Sequence, residues 1–350
     1  MKVAIDPASR AAAPVALRRT APDPERIAED VLAALEDAEW TRFVDDGADV
    51  SLKPNLGWDK PLPGAISAPW VVEGVILALR ERAGSVVMVE SDQVVMRSED
   101  ALRASGLDRV CARHGIRFVN MSRGPFVRAV DPSKHVLRDV MIPEVLTRTQ
   151  LVTLPVLKTH NKTTITGALK NQWGCLQTLR HEFHLVLSEA LADVNSLVQP
   201  RLAVMDGTVG LEGDGPKAGV PREMGLVLAS ANLVGLDAVA ARVMGYEPDE
   251  VDHLRWCADA GLGATHGFEI RGASVADVAA RFRDARHNAV SWLELVLRRS
   301  AFRRLVFHTP LFQLMCWGAR RYYDVWNLTV GRRRRQRFLA TSAYAAQWRP

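Results

Sequence analysis

LVTLPVLKTHNKTTITGALKNQWG, residues 151–174, opens as an unbroken apolar run and turns polar at Lys158. Seven apolar or near-apolar residues, Leu151 to Leu157, are too few for a typical helix. They read as a strand buried on both faces, the kind found inside parallel sheets. Behind that strand come Lys158, His160, Asn161, Lys162, Lys170 and Asn171. A connecting loop needs polar residues, but it rarely needs so many specific ones. In open parallel sheets, ligands bind outside the carboxyl ends of the strands. The stretch therefore reads as a strand whose end forms the floor of a site.

Working outward, further strand-like runs occur at 50–52, 86–89, 117–120, 202–205 and 226–228. Helical patterns lie between them, near 25–38, 70–83, 99–114, 186–198, 234–244 and 249–260. Alternation of this kind predicts an α/β fold: a mostly parallel sheet with helices on both faces. It covers roughly residues 1–286 as one domain and gives way after 287 to a helical, basic, aromatic-rich extension.

Other strands also end in chemistry. The first runs into Lys53-Pro54-Asn55, the second into Glu90-Ser91-Asp92, the fifth into Asp206-Gly207. Converging on one rim, Lys53, Lys158, Lys162 and Lys170 would favour a carboxylate or phosphate. Glu90, Asp92, Asp206 and Asp237 could hold a divalent cation or tune the lysine and histidine pKa values. The expected catalytic residues are Lys158, His160, Lys170 and His181, and the expected substrate contacts are Lys53, Asn55, Asn161 and Asn171. Gly213 and Gly215, in the glycine-rich GLEGDGPKAG at 210–219, would cradle an anion with their backbone amides or form a turn over the site. That stretch matches neither phosphate-loop nor dinucleotide fingerprints, because Pro216 and Pro221 oppose an immediate helix. In RHEFH, His181 and His184 stand three apart, one helical face but not the spacing of a zinc protease.

The chain has 350 residues, 48% of them hydrophobic and 24% charged, an ordinary globular balance. Its four cysteines, Cys111, Cys175, Cys257 and Cys316, are scattered, giving no disulfide framework and no local zinc or iron–sulfur motif. With no signal-peptide run in the first thirty residues and no span of about 18 apolar residues, the expected location is the cytoplasm. The net charge of +5 is unevenly placed: residues 287–350 hold twelve arginines against Glu294 and Asp324, so the remainder is net acidic. Nucleic acid is thus an unfavoured partner for the whole protein. In the extension, arginines interleave with Trp317, Tyr322, Tyr323 and Trp326. Three readings stay open for it: packing on the core or on a second copy of the chain, lying on an anionic membrane face, or binding RNA. The apolar residues near Leu305–Trp317 favour membrane over RNA.

Four segments carry a family resemblance: LKPNLG (52–57), LPVLKTHNKTTITGALKNQWG (154–174), MDGTVGLEGDGPKAG (205–219) and VGLDAVAARVMG (234–245). In this order they resemble the DUF362 proteins, a family of unknown function, over roughly residues 48–265. The resemblance implies an α/β domain. Many members carry an attached two-cluster ferredoxin module, but this chain has no cysteine cluster, so no iron–sulfur cofactor is expected. Together these readings predict an enzyme acting on a small carboxylated or phosphorylated metabolite. The alternative is a non-catalytic binding or accessory protein that uses the same pocket.

Overall fold

The structure, a computed structural model, describes residues 5–349, except for the side chains of Thr178, Leu179 and His181. The proton-transfer role expected of His181 therefore falls outside the described side chains. Along the chain run β1 (Val15–Arg19), β2 (Asp49–Pro54), β3 (Ser85–Glu90), β4 (Arg117–Asn120), β5 (Phe126–Val130) and β6 (Asp139–Pro143). They are followed by β7 (Gln150–Leu154), β8 (Val156–His160), β9 (Thr164–Ile165), β10 (Leu202–Glu212), β11 (Val220–Ser230) and β12 (Ile270–Gly272). Ten strands form one sheet in the order β12-β1-β11-β10-β7-β2-β3-β4, with β8 paired to β10 and β9. β5 and β6 form a separate hairpin. The run from β10 through β7, β2 and β3 to β4 is parallel, whereas β10, β11 and β1 pair antiparallel.

Side-chain alternation along each strand separates two apolar layers. Val50, Leu52, Val152, Leu154, Val204, Val227 and Ala229 face one layer, where helices Pro24–Asp37 and Pro69–Arg80 bury Ile27, Val31, Leu35, Val72, Val75 and Ile76. Ala203, Met205, Leu226 and Leu228 face the other, against helices Leu233–Val243 and Asp252–Asp259. Leu151 also faces that way, against helix Leu187–Val198. The expected sheet with helices on both faces is present.

Two local departures matter for the site. The apolar run 151–157 is two strands, because Pro155 has no amide hydrogen to continue a ladder. After it the chain shifts outward, and β8 pairs farther along β10, with Val156 opposite Asp206 and Lys158 opposite Leu211. Asp206 does not end its strand as expected. β10 continues to Glu212, because β11 pairs with it along that length around a bulge near Gly207–Val209.

The extension is helical, with helices Ala289–Arg299, Arg303–Phe307, Leu311–Trp326 and Arg332–Thr341. Its end returns to the sheet. Phe338, Tyr344 and Trp348 are buried in the same layer as Leu35 and Val72, and the Tyr344 hydroxyl donates to the Thr20 carbonyl (2.8 Å). No described helix is long and apolar enough to cross a membrane.

Candidate anion-binding site

The ends of β2, β3 and β8, together with helix Gly167–Asn171, line a cavity of about 490 Å3. At its base Lys53, from β2, donates to Glu90, from β3, at 2.9 Å. Both are almost wholly buried. Glu90 also accepts from the amides of Leu56 (3.3 Å) and Ser91 (2.9 Å). Such a buried pair is tolerable only when its remaining lone pairs are satisfied in this way. Gly174, the last residue of the opening stretch, lies against it: a Cβ there would stand 2.6 Å from Glu90 Oε1. A glycine is what lets the backbone pass so close.

Lys158 stands beside this pair, 2% exposed. Its Nζ donates to Asn55 Oδ1 (2.8 Å) and to the Ala65 carbonyl (2.6 Å). Asn55 in turn donates to Asn171 Oδ1 (3.1 Å), and Asn171 donates to Thr153 Oγ1 (2.7 Å). This network ties three expected site residues into one unit. Burial, followed by the charges of Lys217 and Lys170, pushes the Lys158 ammonium down to about 7. Burial, followed by Lys162 and Arg180, does the same to Lys170. His160 lines the cavity with a neutral ring: burial, then the charges of Lys170 and Lys162, hold its pKa well below the usual value. Its Nδ1 accepts from the Lys162 amide (3.0 Å), so the neutral ring carries its proton on Nε2.

Helix Gly167–Asn171 carries Lys170 and Asn171. Its position is set by Asp237, which accepts from the amides of Ala168 (2.6 Å) and Leu169 (2.9 Å). Gly167 has φ +61°, and a Cβ there would collide with that carboxylate. Asp237 is pushed up to about 7 by burial.

The four acidic residues expected to share a cation are not brought together. Asp237 holds a helix. Asp206 accepts from the Ala68 amide (2.8 Å) and the Thr208 hydroxyl (2.7 Å), fixing the start of helix Pro69–Arg80. Asp92 accepts from the Ser98 amide (2.8 Å) and Asn120 Nδ2 (3.0 Å). Glu90 is engaged by Lys53. Among the described residues, no three His, Cys, Asp or Glu side chains are disposed to hold a metal.

Asn161 reaches the cavity wall but donates to Ser291 Oγ in the extension (3.2 Å). Gly213 (φ +78°) and Gly215 do not line the cavity; a Cβ on Gly215 would collide with the Thr159 carbonyl. Their loop delivers Lys217 instead, 4.9 Å from the centre of the Trp58 ring. Burial brings Lys217 down to about 8. Lys217 lies within the glycine-rich motif but was not among the expected site residues. Nor was Arg180, which is buried and donates to Ser91 Oγ (2.8 Å) and the Asp92 carbonyl (2.7 Å). Glu294, from the extension, was missed too; it accepts from Lys162 (2.6 Å) and Arg298 (2.8 Å) and meets His184 Nδ1 (2.6 Å). With Glu90 and Glu294 so engaged, Lys158, Lys170 and Lys217 have no ion-pair partner among the described residues.

The family model described as "Domain of unknown function (DUF362)" matches residues 50–242. The chain belongs to the DUF362 family. Every lysine named above lies inside the matched region, as do Arg180 and Asp237. The extension that closes the cavity lies outside it. This DUF362 chain is also 28% identical over 232 residues to a thylakoid-associated protein of Synechocystis sp., a match covering 64% of this chain and 71% of the relative. Among solved structures it is similar to the lactate racemase apoprotein of Thermoanaerobacterium thermosaccharolyticum, with a TM-score of 0.37 and 13% identity. That match covers 74% of this chain and 59% of the racemase chain.

Proposed function

We propose that the cavity binds a carboxylated or phosphorylated metabolite and that Lys158 exchanges a proton with it. The observation that carries this is the set of three lysines, Lys158, Lys170 and Lys217, lining one cavity without a carboxylate partner among the described residues. Desolvated cations of this kind cost folding energy, and a bound anion would offset that cost. At neutral pH Lys158 stands near its midpoint. Its protonated form attracts the anion. Its neutral form keeps two N–H groups on Asn55 and Ala65 and turns its lone pair to the reacting group, a suitable state for a general base. His160, with its proton on Nε2, suits a donor to developing negative charge better than a base.

A thermal-shift screen of carboxylated and phosphorylated metabolites, with and without divalent metals, tests this reading. Stabilising hits that are turned over support an enzyme. Tight binding without turnover favours the accessory-protein alternative. No stabilisation by any anion would contradict the reading.

A second reading, a peripheral membrane association, is favoured by a separate observation. The extension holds twelve of the eighteen large hydrophobic side chains that are exposed among the described residues. Leu311, Leu314, Trp317, Tyr322, Val325 and Leu328 fall within one arc of the helix Leu311–Trp326 and its continuation. With arginines around it, such a face suits the headgroup region of an anionic membrane. A relative described as thylakoid-associated is consistent with this.

A further inference from the structure

The cavity has two unlike halves. Its floor, from the sheet and helix Gly167–Asn171, carries the lysines. Its roof, from the extension, presents Val290, Leu293, Phe307, Phe312, Met315 and Ala319. A small hydrophilic metabolite would leave that roof without a partner. Leu293 marks where the roof reaches the outside, since it lines the cavity and is also 44% exposed. Beside it on the same helix, Trp292 and Val296 are exposed as well. The volume of about 490 Å3 lies within the range of roughly 300–1,000 Å3 typical of small-molecule sites.

The roof is held over the floor rather than lying loosely on it. Glu294 accepts from Lys162 (2.6 Å), Asn161 donates to Ser291 (3.2 Å), and Arg320 donates to the Val95 carbonyl (3.1 Å). Trp58 meets Tyr323 edge-on, with ring centres 5.0 Å apart. Glu294 sits between the two halves. Its charge is matched by Lys162 and Arg298, with His184 also in hydrogen-bonding contact, so it does not cancel the unpaired lysines.

We propose that the site takes an amphiphile: one anionic head, phosphate or carboxylate, on the lysine floor, and an aliphatic tail along the roof toward Leu293. This rests on the anion-binding reading above and names the ligand class it would serve. A tail on this path leaves the cavity through the exposed apolar surface. A lipid-derived molecule could thus pass between a bilayer and the site without crossing water.

The test is calorimetric titration of the full chain with inorganic phosphate and with a series of n-alkyl phosphates and n-alkyl carboxylates, each below its micelle-forming concentration. A buried methylene contributes about 0.8 kcal/mol, so affinity should rise about four-fold per carbon over the first several carbons and then level off. The neutral changes Leu293→Ser and Phe312→Ser, on the roof and away from the lysine floor, should reduce that gain while adding no charge that would disturb phosphate binding, with circular dichroism verifying the fold. The partly exposed Leu293→Ser is the milder change should Phe312→Ser fail to fold. Phosphate binding that ignores chain length overturns the tail while leaving the anion site standing. A chain-length gain that survives in Lys158→Met/Lys170→Met means adsorption to the outer surface and overturns the proposal. Failure of phosphate and every alkyl anion to bind overturns the anion reading itself.

Discussion

Lys158 is the residue on which the site turns, and its setting has a signed consequence. An ordinary lysine titrates near 10.5, and Lys158 and Lys170 do so at about 7. Between those values the unfolded chain binds more protons than the folded one, so stability rises with pH. Lys217, brought down to about 8, and Lys162, also lowered, add to the rise in the same direction, whereas Asp237, raised to about 7, acts below the window from about 7 to about 9 and Cys111, raised to about 11, mostly above it. The ligand-free protein should therefore resist urea better at pH 9 than at pH 7, by at most about 1.4 kcal/mol per pH unit for each lysine. Lys158→Met/Lys170→Met should reduce that slope to the share that Lys217 and Lys162 contribute. A wild-type midpoint that falls across the window would contradict the placement of these lysines. The neighbouring pair behaves differently. Glu90→Gln strands Lys53 in a buried position and should cost about 3–5 kcal/mol in urea denaturation. Replacing both partners with apolar residues should cost less than either single change, and an additive double mutant would argue against a coupled pair.

At the scale of elements, the short helix Gly167–Asn171 is positioned from outside by Asp237. Asp237→Ala removes the acceptor from two buried amides and should cost about 2–6 kcal/mol, twice the roughly 1–3 kcal/mol of one stranded donor. It should also weaken anion binding, because Lys170 and Asn171 ride on that helix. Full phosphate affinity in a folded Asp237→Ala protein would show that the helix does not depend on this cap. The sequence signal here was partial. The buried parallel strands were legible because nothing but an apolar run suits a strand covered on both faces. The polar residues behind β2 and β8 were legible because strand ends are where parallel sheets place ligands. The amide-capping roles of Asp206 and Asp237 were not legible, because an aspartate looks the same in sequence whether it faces a ligand or caps a distant amide. Lys217 and Arg180 were invisible for the same kind of reason: their loops are carried to the cavity by contacts with residues far away in the chain. β1 was missed because its five residues end in two arginines, and its place in the sheet comes from pairing with β11 and β12.

For the molecule as a whole, the extension both packs and projects. Phe338, Tyr344 and Trp348 complete an apolar layer of the core, so truncation near Phe282 should expose that layer and give an unstable, aggregating protein. A soluble truncated protein with unchanged stability would contradict the packing. The membrane reading needs a different variant, one that leaves the core intact. Leu314→Asp/Trp317→Asp/Val325→Asp alters only exposed positions. The wild type should co-float with anionic liposomes, less with neutral ones, and partly release at high salt. The triple variant should stay behind, and equal flotation of both proteins would rule this face out as the docking surface. Unpaired, desolvated lysines are what would make the cavity an anion site. The direct measurement is calorimetric titration of the full chain with sulfate, a tetrahedral anion whose charge stays constant between pH 6.5 and pH 8.5, at those two pH values and alongside Lys158→Met/Lys170→Met. Binding should be tighter at the lower pH, where most of both lysines is charged, and should be strongly weakened in the double variant. Affinity that is equal at the two pH values, or unchanged in the double variant, would contradict the account.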